Sequence, residues 1–194
     1  MNPLSVKSGR VRLQRLGLTL VELMVTVAIT AVLMAVAIPS MQQMIAKRRV
    51  AGVVNELATD LRYLRSLSLQ KGVMVQLDFG SNSASTCYVL STNEFVDIAD
   101  CDCTDPTSCN GVGPAATAVK TVTLQRSDGV TVSSNGSPIR FTGPGAMPYL
   151  LYGSATITAT VSSSLGGVAR VWTNATGRAF SCSVSGQESS FPAC

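Results

Sequence analysis

The chain has 194 residues, 46% of them hydrophobic, with six cysteines, one tryptophan and no histidine. That length suits one globular domain plus an extra segment, and the absence of histidine argues against a histidine-based hydrolase or metalloenzyme. Four of the 15 basic residues lie in residues 1–17, which contain no acid, and the rest of the chain has as many acidic as basic residues. The net charge of +4 is therefore a property of the N-terminus.

The first predicted element is an apolar segment over residues 18–41, in which Glu22 is the one charged residue and Pro39 lies near the end. About 20 apolar residues are enough to cross a bilayer, so the segment is predicted to be a transmembrane helix. It is an uncut anchor, a secretory signal cleaved after Ala35-Val36-Ala37, or an anchor that is preceded by the cleavage site. A carboxylate in such a helix costs about 2.5–3.5 kcal/mol and normally has a partner, which makes Glu22 a candidate functional residue.

Residues 42–72 are predicted to continue this helix in amphipathic form. Apolar residues recur at three-and-four spacing from Val50 to Leu67, and Gly72 is a helix stop signal. A half-buried strand is predicted next, in which Val75 and Leu77 alternate with the outward-facing Gln76 and Asp78. Further strands are predicted at Cys87–Leu90, Val119–Leu124, Pro138–Thr142, Ala155–Val161, Ala169–Thr173 and Ala179–Val184. The fold class is α+β, a long N-terminal helix with an antiparallel β-rich head over residues 73–194.

The residues around the start of the apolar segment resemble the processing motif of type IV pilins and pseudopilins. A basic leader ends at Gly17, Glu22 is the fifth residue after it, and an uncharged run follows. The order of elements most resembles the GspH/FimT-type minor pilins. Leu18 stands where this family usually has phenylalanine.

This resemblance implies that prepilin peptidase removes the leader, residues 1–17, by cleaving after Gly17, and that Leu18 is then N-methylated. It implies that Glu22 pairs with the N-terminal amine of an adjacent subunit during filament assembly, and that Pro39 kinks the helix. All six cysteines follow residue 86, which favours an oxidising compartment for the head. We therefore expect a single pass through the inner membrane, a periplasmic head, and later placement in a pilus filament or tip.

The cysteines are predicted to form disulfides rather than a metal site. Three of them lie in an acidic stretch, residues 94–110, where zinc or calcium is the alternative to a disulfide-stapled loop. This stretch lacks histidine, a CxxC pair and the usual calcium-loop spacing. Sequence does not fix the connectivity of six cysteines, but the resemblance favours Cys182 with Cys194, which leaves these four to pair among themselves: Cys87, Cys101, Cys103 and Cys109.

Nucleic-acid binding is a further hypothesis. Residues 106–194 contain two acids against five basic residues, namely Lys120, Arg126, Arg140, Arg170 and Arg178, and such an excess suits phosphate contacts. Some FimT-type pilins that bind DNA carry a Gly-Arg-x-Arg motif, whereas this chain has Gly177-Arg178-Ala179-Phe180. Arg170 and Arg178 flank a predicted hairpin turn, with Trp172 and Phe180 either as stacking groups or as core residues.

The resemblance implies a non-enzymatic minor pilin of a type IV pilus, a structural or assembly subunit of the filament tip or initiation complex. Its expected partners are other major and minor pilins, the inner membrane and prepilin peptidase, with no cofactor, metal or catalytic residue. Two alternatives stay open. One is a DNA-binding minor pilin for DNA uptake in natural transformation, and the other is a pseudopilin of a type II secretion system.

Overall fold

The computed structural model describes residues 19–93, 101–105, 116–136, 138–142, 147–148, 158–174, 177–184 and 190–194. Its internal contacts divide the chain into two units, residues 1–40 and residues 41–194. Within the described residues, one α-helix is followed by nine β-strands and a short 3-10 helix, Arg126–Asp128. This is the α+β architecture that the sequence predicts.

Helix α1 spans Leu20–Lys71 and changes character along its length. It is long and apolar enough to cross a membrane, judged by length and composition, and its large hydrophobic side chains from Leu20 to Ile45 are 46–74% exposed. Beyond them, the apolar positions at three-and-four spacing are buried, from Val50 to Leu67. The helix ends where Gly72 adopts a φ of +67° and donates its N–H to the Ser68 carbonyl at 2.9 Å, a left-handed C-cap that favours glycine.

The strands form two antiparallel sheets. The first contains β1 (Met74–Ser81), β2 (Ser85–Asn93), β3 (Ala116–Gln125), β5 (Ile139–Thr142) and β6 (Met147–Pro148), in the order β3-β2-β1-β5-β6. The second contains β4 (Val130–Ser134), β7 (Thr158–Ser163), β8 (Val168–Thr173) and β9 (Ala179–Ser183), in the order β4-β7-β8-β9. A β-bulge interrupts the β2–β3 register between Leu90 and Ser91.

One hydrophobic core joins the second half of α1 to both sheets. The helix contributes residues such as Leu57 and Leu61, the first sheet Leu77 and Leu90, and the second sheet alternating valines and alanines. Their burial supplies the main stabilisation of the head, since each large apolar side chain removed from water contributes about 1.5–3 kcal/mol. The apolar stripe in the sequence of the second half of α1 is therefore this core face.

The predicted strands overlap observed ones, with two omissions and one error of orientation. Strand β4 lies between two turn signals and was not predicted, although Val130 and Val132 alternate as a strand should; the two-residue β6 was missed as well. The prediction that Gln76 and Asp78 face outward is wrong, because both are at least 98% buried. Strand β1 is central in its sheet, and Arg140 and the segment at Cys101 cover the face that they occupy.

Candidate assembly and binding surfaces

Thr19 caps the start of α1. Its hydroxyl oxygen accepts the backbone N–H of Glu22 at 3.2 Å, and its carbonyl accepts the N–H of Leu23. Threonine at the N-cap with glutamate three residues later has the spacing of a capping box, and a carboxylate in the first turn also favours the helix dipole. The role of Thr19 as a helix cap was not predicted, although the Thr-x-x-Glu spacing is visible in the sequence. Gly17 and Leu18 lie outside the described residues.

Helix α1 continues through Pro39; the structure describes the backbone of this residue and not its side chain. Threonine and serine side chains on either side of it donate hydrogen bonds back to carbonyls of the same helix, as Thr30 does to Thr26 and Ser40 does to Ala37. Such bonds satisfy polar side chains without a partner outside the helix. The first half of α1 therefore offers an almost wholly apolar surface.

A polar clamp joins α1 to the first sheet within the second unit. Lys120 on β3 donates to both carboxylate oxygens of Asp60 at 2.8–2.9 Å and to Glu56 at 2.8 Å, and the buried Tyr88 hydroxyl donates to Asp60 at 2.9 Å. Burial, reinforced by the Asp60 charge, raises the pKa of Tyr88 far above its ordinary value. Desolvation opposes the Lys120 charge, but the hydrogen bonds that Lys120 donates to Asp60 and Glu56 outweigh it and raise the pKa of Lys120.

The polar clamp and a second, buried hydrogen-bond network lower the number of exposed charges in the basic patch that the sequence suggested. Lys120 is neutralised by two carboxylates, and Arg140 is 97% buried, where its Nε donates to Gln76 at 3.1 Å. Gln76 in turn donates to Asp78 at 2.9 Å. Arg126 donates to the Asn82 carbonyl. Of the predicted five, Arg126, Arg170 and Arg178 remain exposed.

The acidic segment carries disulfides. Cys87 is bonded to Cys103, with Cα atoms 5.8 Å apart, and Cys101 is also disulfide-bonded. Cys109 lies outside the described residues. Sulfurs held in disulfides are not thiolates, so the zinc alternative for Cys101 and Cys103 is excluded. Within the segment, Asp102 accepts the N–H and the hydroxyl of Thr104.

The C-terminus is tied to the edge strand β9. Cys182 is bonded to Cys194 with Cα atoms 4.9 Å apart, the pair that the resemblance favoured. Ser183 donates its N–H to the Pro192 carbonyl at 2.8 Å and accepts the Cys194 N–H at 3.0 Å. The tail thus pairs, in parallel, with one residue of the β9 edge.

Arg170 and Arg178 do not form one cluster. In the β8–β9 ladder Arg170 lies opposite Cys182, whereas Arg178 lies opposite Asn174 at the turn, four residues and about 13 Å further along. Trp172 and Phe180 stack on each other with ring centroids 4.7 Å apart, and Phe180 is 40% exposed. The alternative that these two rings are core residues is therefore wrong for Phe180.

Arg178 instead lines a groove together with two arginines of α1. A groove of about 740 Å³ is lined on the helix side by Arg62, Arg65, Ser66 and Leu69, and on the β9 side by Gly177, Arg178, Ala179 and Phe180. Its described lining contains three cations and no acid. The Arg65 Nε is buried and has no hydrogen-bond partner among the described residues. Arg62 and Arg65 were not predicted as site residues, because the polar residues of an amphipathic helix are expected to face solvent.

Two protein-family models match the chain. The model of the prokaryotic N-terminal methylation motif matches residues 12–38, which include the predicted cleavage site and most of the apolar half of α1. The model of type II transport protein GspH matches residues 53–181, about two thirds of the chain. No curated protein and no solved structure matches it.

Proposed function

Because the chain belongs to the GspH family of type II transport proteins and carries a prokaryotic N-terminal methylation motif, we propose that it is a minor pilin of a type IV pilus. It acts as a structural or assembly subunit of the filament tip or initiation complex. The single observation that carries this proposal is the division of α1, whose second half buries its apolar stripe in the head while its first half exposes large hydrophobic side chains on all sides. Such a helix needs lipid before assembly and neighbouring helices after it.

In this proposal the leader lies in the cytoplasm and the head in the periplasm, with prepilin peptidase cleaving after Gly17. Glu22 then has two functions. Its position three residues after Thr19 completes the helix cap, and its carboxylate binds the N-terminal amine of the adjacent subunit. Pairing the two charges offsets the cost of placing each in an apolar environment. The register between subunits is fixed at that contact.

The mature N-terminus is the first test. Intact mass from the native host is expected to show a chain that begins at methylated Leu18. A chain that begins at Ile38, or one that retains Met1, contradicts the proposal.

Substitution of Glu22 tests the assembly step. We expect Glu22→Gln to be processed and inserted normally but to be lost from sheared filaments, because the neutral amide leaves the amine of the adjacent subunit without its counter-ion. Glu56→Gln is the matched control, since Glu56 lies on the same helix in the head and is half exposed. Equal incorporation of both variants contradicts the role given to Glu22.

A pseudopilin of a type II secretion system is the second candidate, and the match to type II transport protein GspH favours it. Deletion of the chain separates the two systems. Loss of surface pili with normal protein secretion supports the pilus, whereas loss of secretion with normal pili supports the secretion system. DNA uptake receives no specific support, because Arg170 and Arg178 lie apart, and it becomes an outcome of the binding experiment described below.

A further inference from the structure

We propose that the groove between α1 and the edge strand β9 binds an extended, acidic peptide segment of an adjoining subunit, which pairs with β9 as an additional strand. The groove is lined by Arg62, Arg65, Ser66 and Leu69 of α1, by Ala179 and Phe180 of β9, and by Gly177 and Arg178, which precede that strand. The identity of the partner as a filament subunit rests on the proposed function. The peptide chemistry of the groove does not.

Strand β9 has an open edge, because it is the last strand of its sheet in the described residues. Along an antiparallel strand, backbone groups point alternately toward the neighbouring strand and away from it. Ser183 directs both its N–H and its carbonyl away from β8, to the C-terminal tail. Ala179 and Ser181 have the same parity, so their backbone donors and acceptors also point away from β8, and Ala179 lines the groove.

The same edge already pairs with another segment at one residue. The C-terminal tail pairs with Ser183 from Pro192 to Cys194, and the Cys182–Cys194 disulfide holds it there. Among the described residues, that pairing extends no further toward Ala179. An unpaired edge is a site for strand addition, in which main-chain hydrogen bonds give affinity and side-chain contacts give specificity.

The charge of the groove favours an acidic occupant. Arg62, Arg65 and Arg178 form no ion pair with the described residues. A buried guanidinium N–H without an acceptor, such as the Arg65 Nε, is costly to leave unpaired. Carboxylates on alternate residues of an added strand would lie on one face and supply acceptors to these arginines. Leu69 and Phe180, which are 54% and 40% exposed, give the groove apolar walls.

The test is binding of a capped seven-residue peptide, aspartate alternating with valine, to the full chain in detergent micelles, measured by fluorescence anisotropy. We expect Arg65→Gln and Arg178→Gln each to weaken binding about tenfold, the loss of one charge-assisted hydrogen bond. Arg170→Gln is the matched control and is expected to bind as the wild type does, because Arg170 lies outside the groove lining. Unchanged thermal unfolding of each variant shows that its fold is intact.

Two further peptides separate strand pairing from simple charge attraction. A peptide with N-methylated alternate amides cannot pair along the strand edge, and one with asparagine for aspartate lacks the charge; both are expected to lose binding. Equal binding of either one overturns the proposal. A single-stranded oligothymidylate is the third probe, and its binding at Arg65 and Arg178 in place of the peptide also overturns it. A native chain that begins at Ile38 or retains Met1 defeats the proposed function alone, because the peptide measurement is independent of it.

Discussion

Removal of one hydroxyl at Tyr88 is expected to change how the stability of the head depends on alkaline pH. Tyr88 is fully buried and donates to Asp60 at 2.9 Å. Loss of a hydrogen bond to a charged acceptor costs about 1.5 kcal/mol, so Tyr88→Phe is expected to lower the free energy of unfolding by about that amount at pH 7. Asp60 keeps both of its contacts to Lys120 in the variant.

The sign of the effect reverses at high pH. Desolvation and the Asp60 charge raise the pKa of Tyr88, so the native state keeps a proton that the unfolded chain releases above about pH 10. The unfolded state then binds fewer protons, and the wild type loses about 1.4 kcal/mol per pH unit from this group. The variant lacks the group and does not. The two stability curves are therefore expected to cross near pH 11, about one unit above the ordinary pKa of tyrosine.

The contribution of Lys120 to the pH dependence of stability is the same in the wild type and in Tyr88→Phe. Its pKa is raised in the folded state because its hydrogen bonds to Asp60 and Glu56 outweigh desolvation. Its stabilisation is present below the unfolded pKa and lost as the pH rises through the folded one. Wild type and variant share this loss. The difference between their curves isolates the proton of Tyr88.

Urea unfolding of the full chain in detergent micelles, followed by the fluorescence of the single tryptophan, Trp172, measures both curves from pH 8 to 12. Tyr63→Phe is the matched control, since it removes the hydroxyl of a tyrosine that is 46% exposed. If the difference in the free energy of unfolding between wild type and Tyr88→Phe stays constant from pH 8 to 12, the reasoning from burial is refuted.

Two further predictions concern packing and use the same unfolding measurement. Leu57→Ala is expected to lower the free energy of unfolding by about 3–5 kcal/mol, because the fully buried side chain leaves a cavity; a change below 1 kcal/mol contradicts the core. Gly80→Ala is expected to cost about 1–3 kcal/mol, because the added Cβ would lie 2.9 Å from a disulfide sulfur. Gly52→Ala, with open space around it, is its control and is expected to stabilise by about 0.5–1 kcal/mol.

The elements that the sequence predicts best are those with a long hydrophobic period. The apolar stripe from Val50 to Leu67 repeats over several turns and ends at a glycine with positive φ, so both the helix and its C-cap were predictable. Strand β4 was missed because five residues are too short a pattern to stand out between two turn signals. Its membership in the second sheet depends on pairing with β7, a contact between distant parts of the chain.

Side-chain environment was harder to predict than secondary structure. Asp78 and Gln76 follow the polar half of an alternating pattern, yet they are buried, because a partner such as Arg140 comes from a strand more than sixty residues away. Arg62 and Arg65 were overlooked for the same reason. Polarity indicates an exposed helix face, but only the position of β9 makes that face one wall of a groove.

The use of α1 limits where the head can contact other subunits. In the part of the helix from Val50 to Leu67, the apolar stripe is fully engaged by the two sheets and is not available for a partner. Among the described residues, polar helix faces and the β9 edge stay open to contacts, and Arg62 and Arg65 beside β9 combine the two. Apolar packing between subunits is left to the segment from Leu20 to Ile45. In the proposed function, the start of the helix provides apolar packing and the Glu22 contact that fixes the register, and the part beside β9 provides charge-dependent recognition of an adjoining subunit.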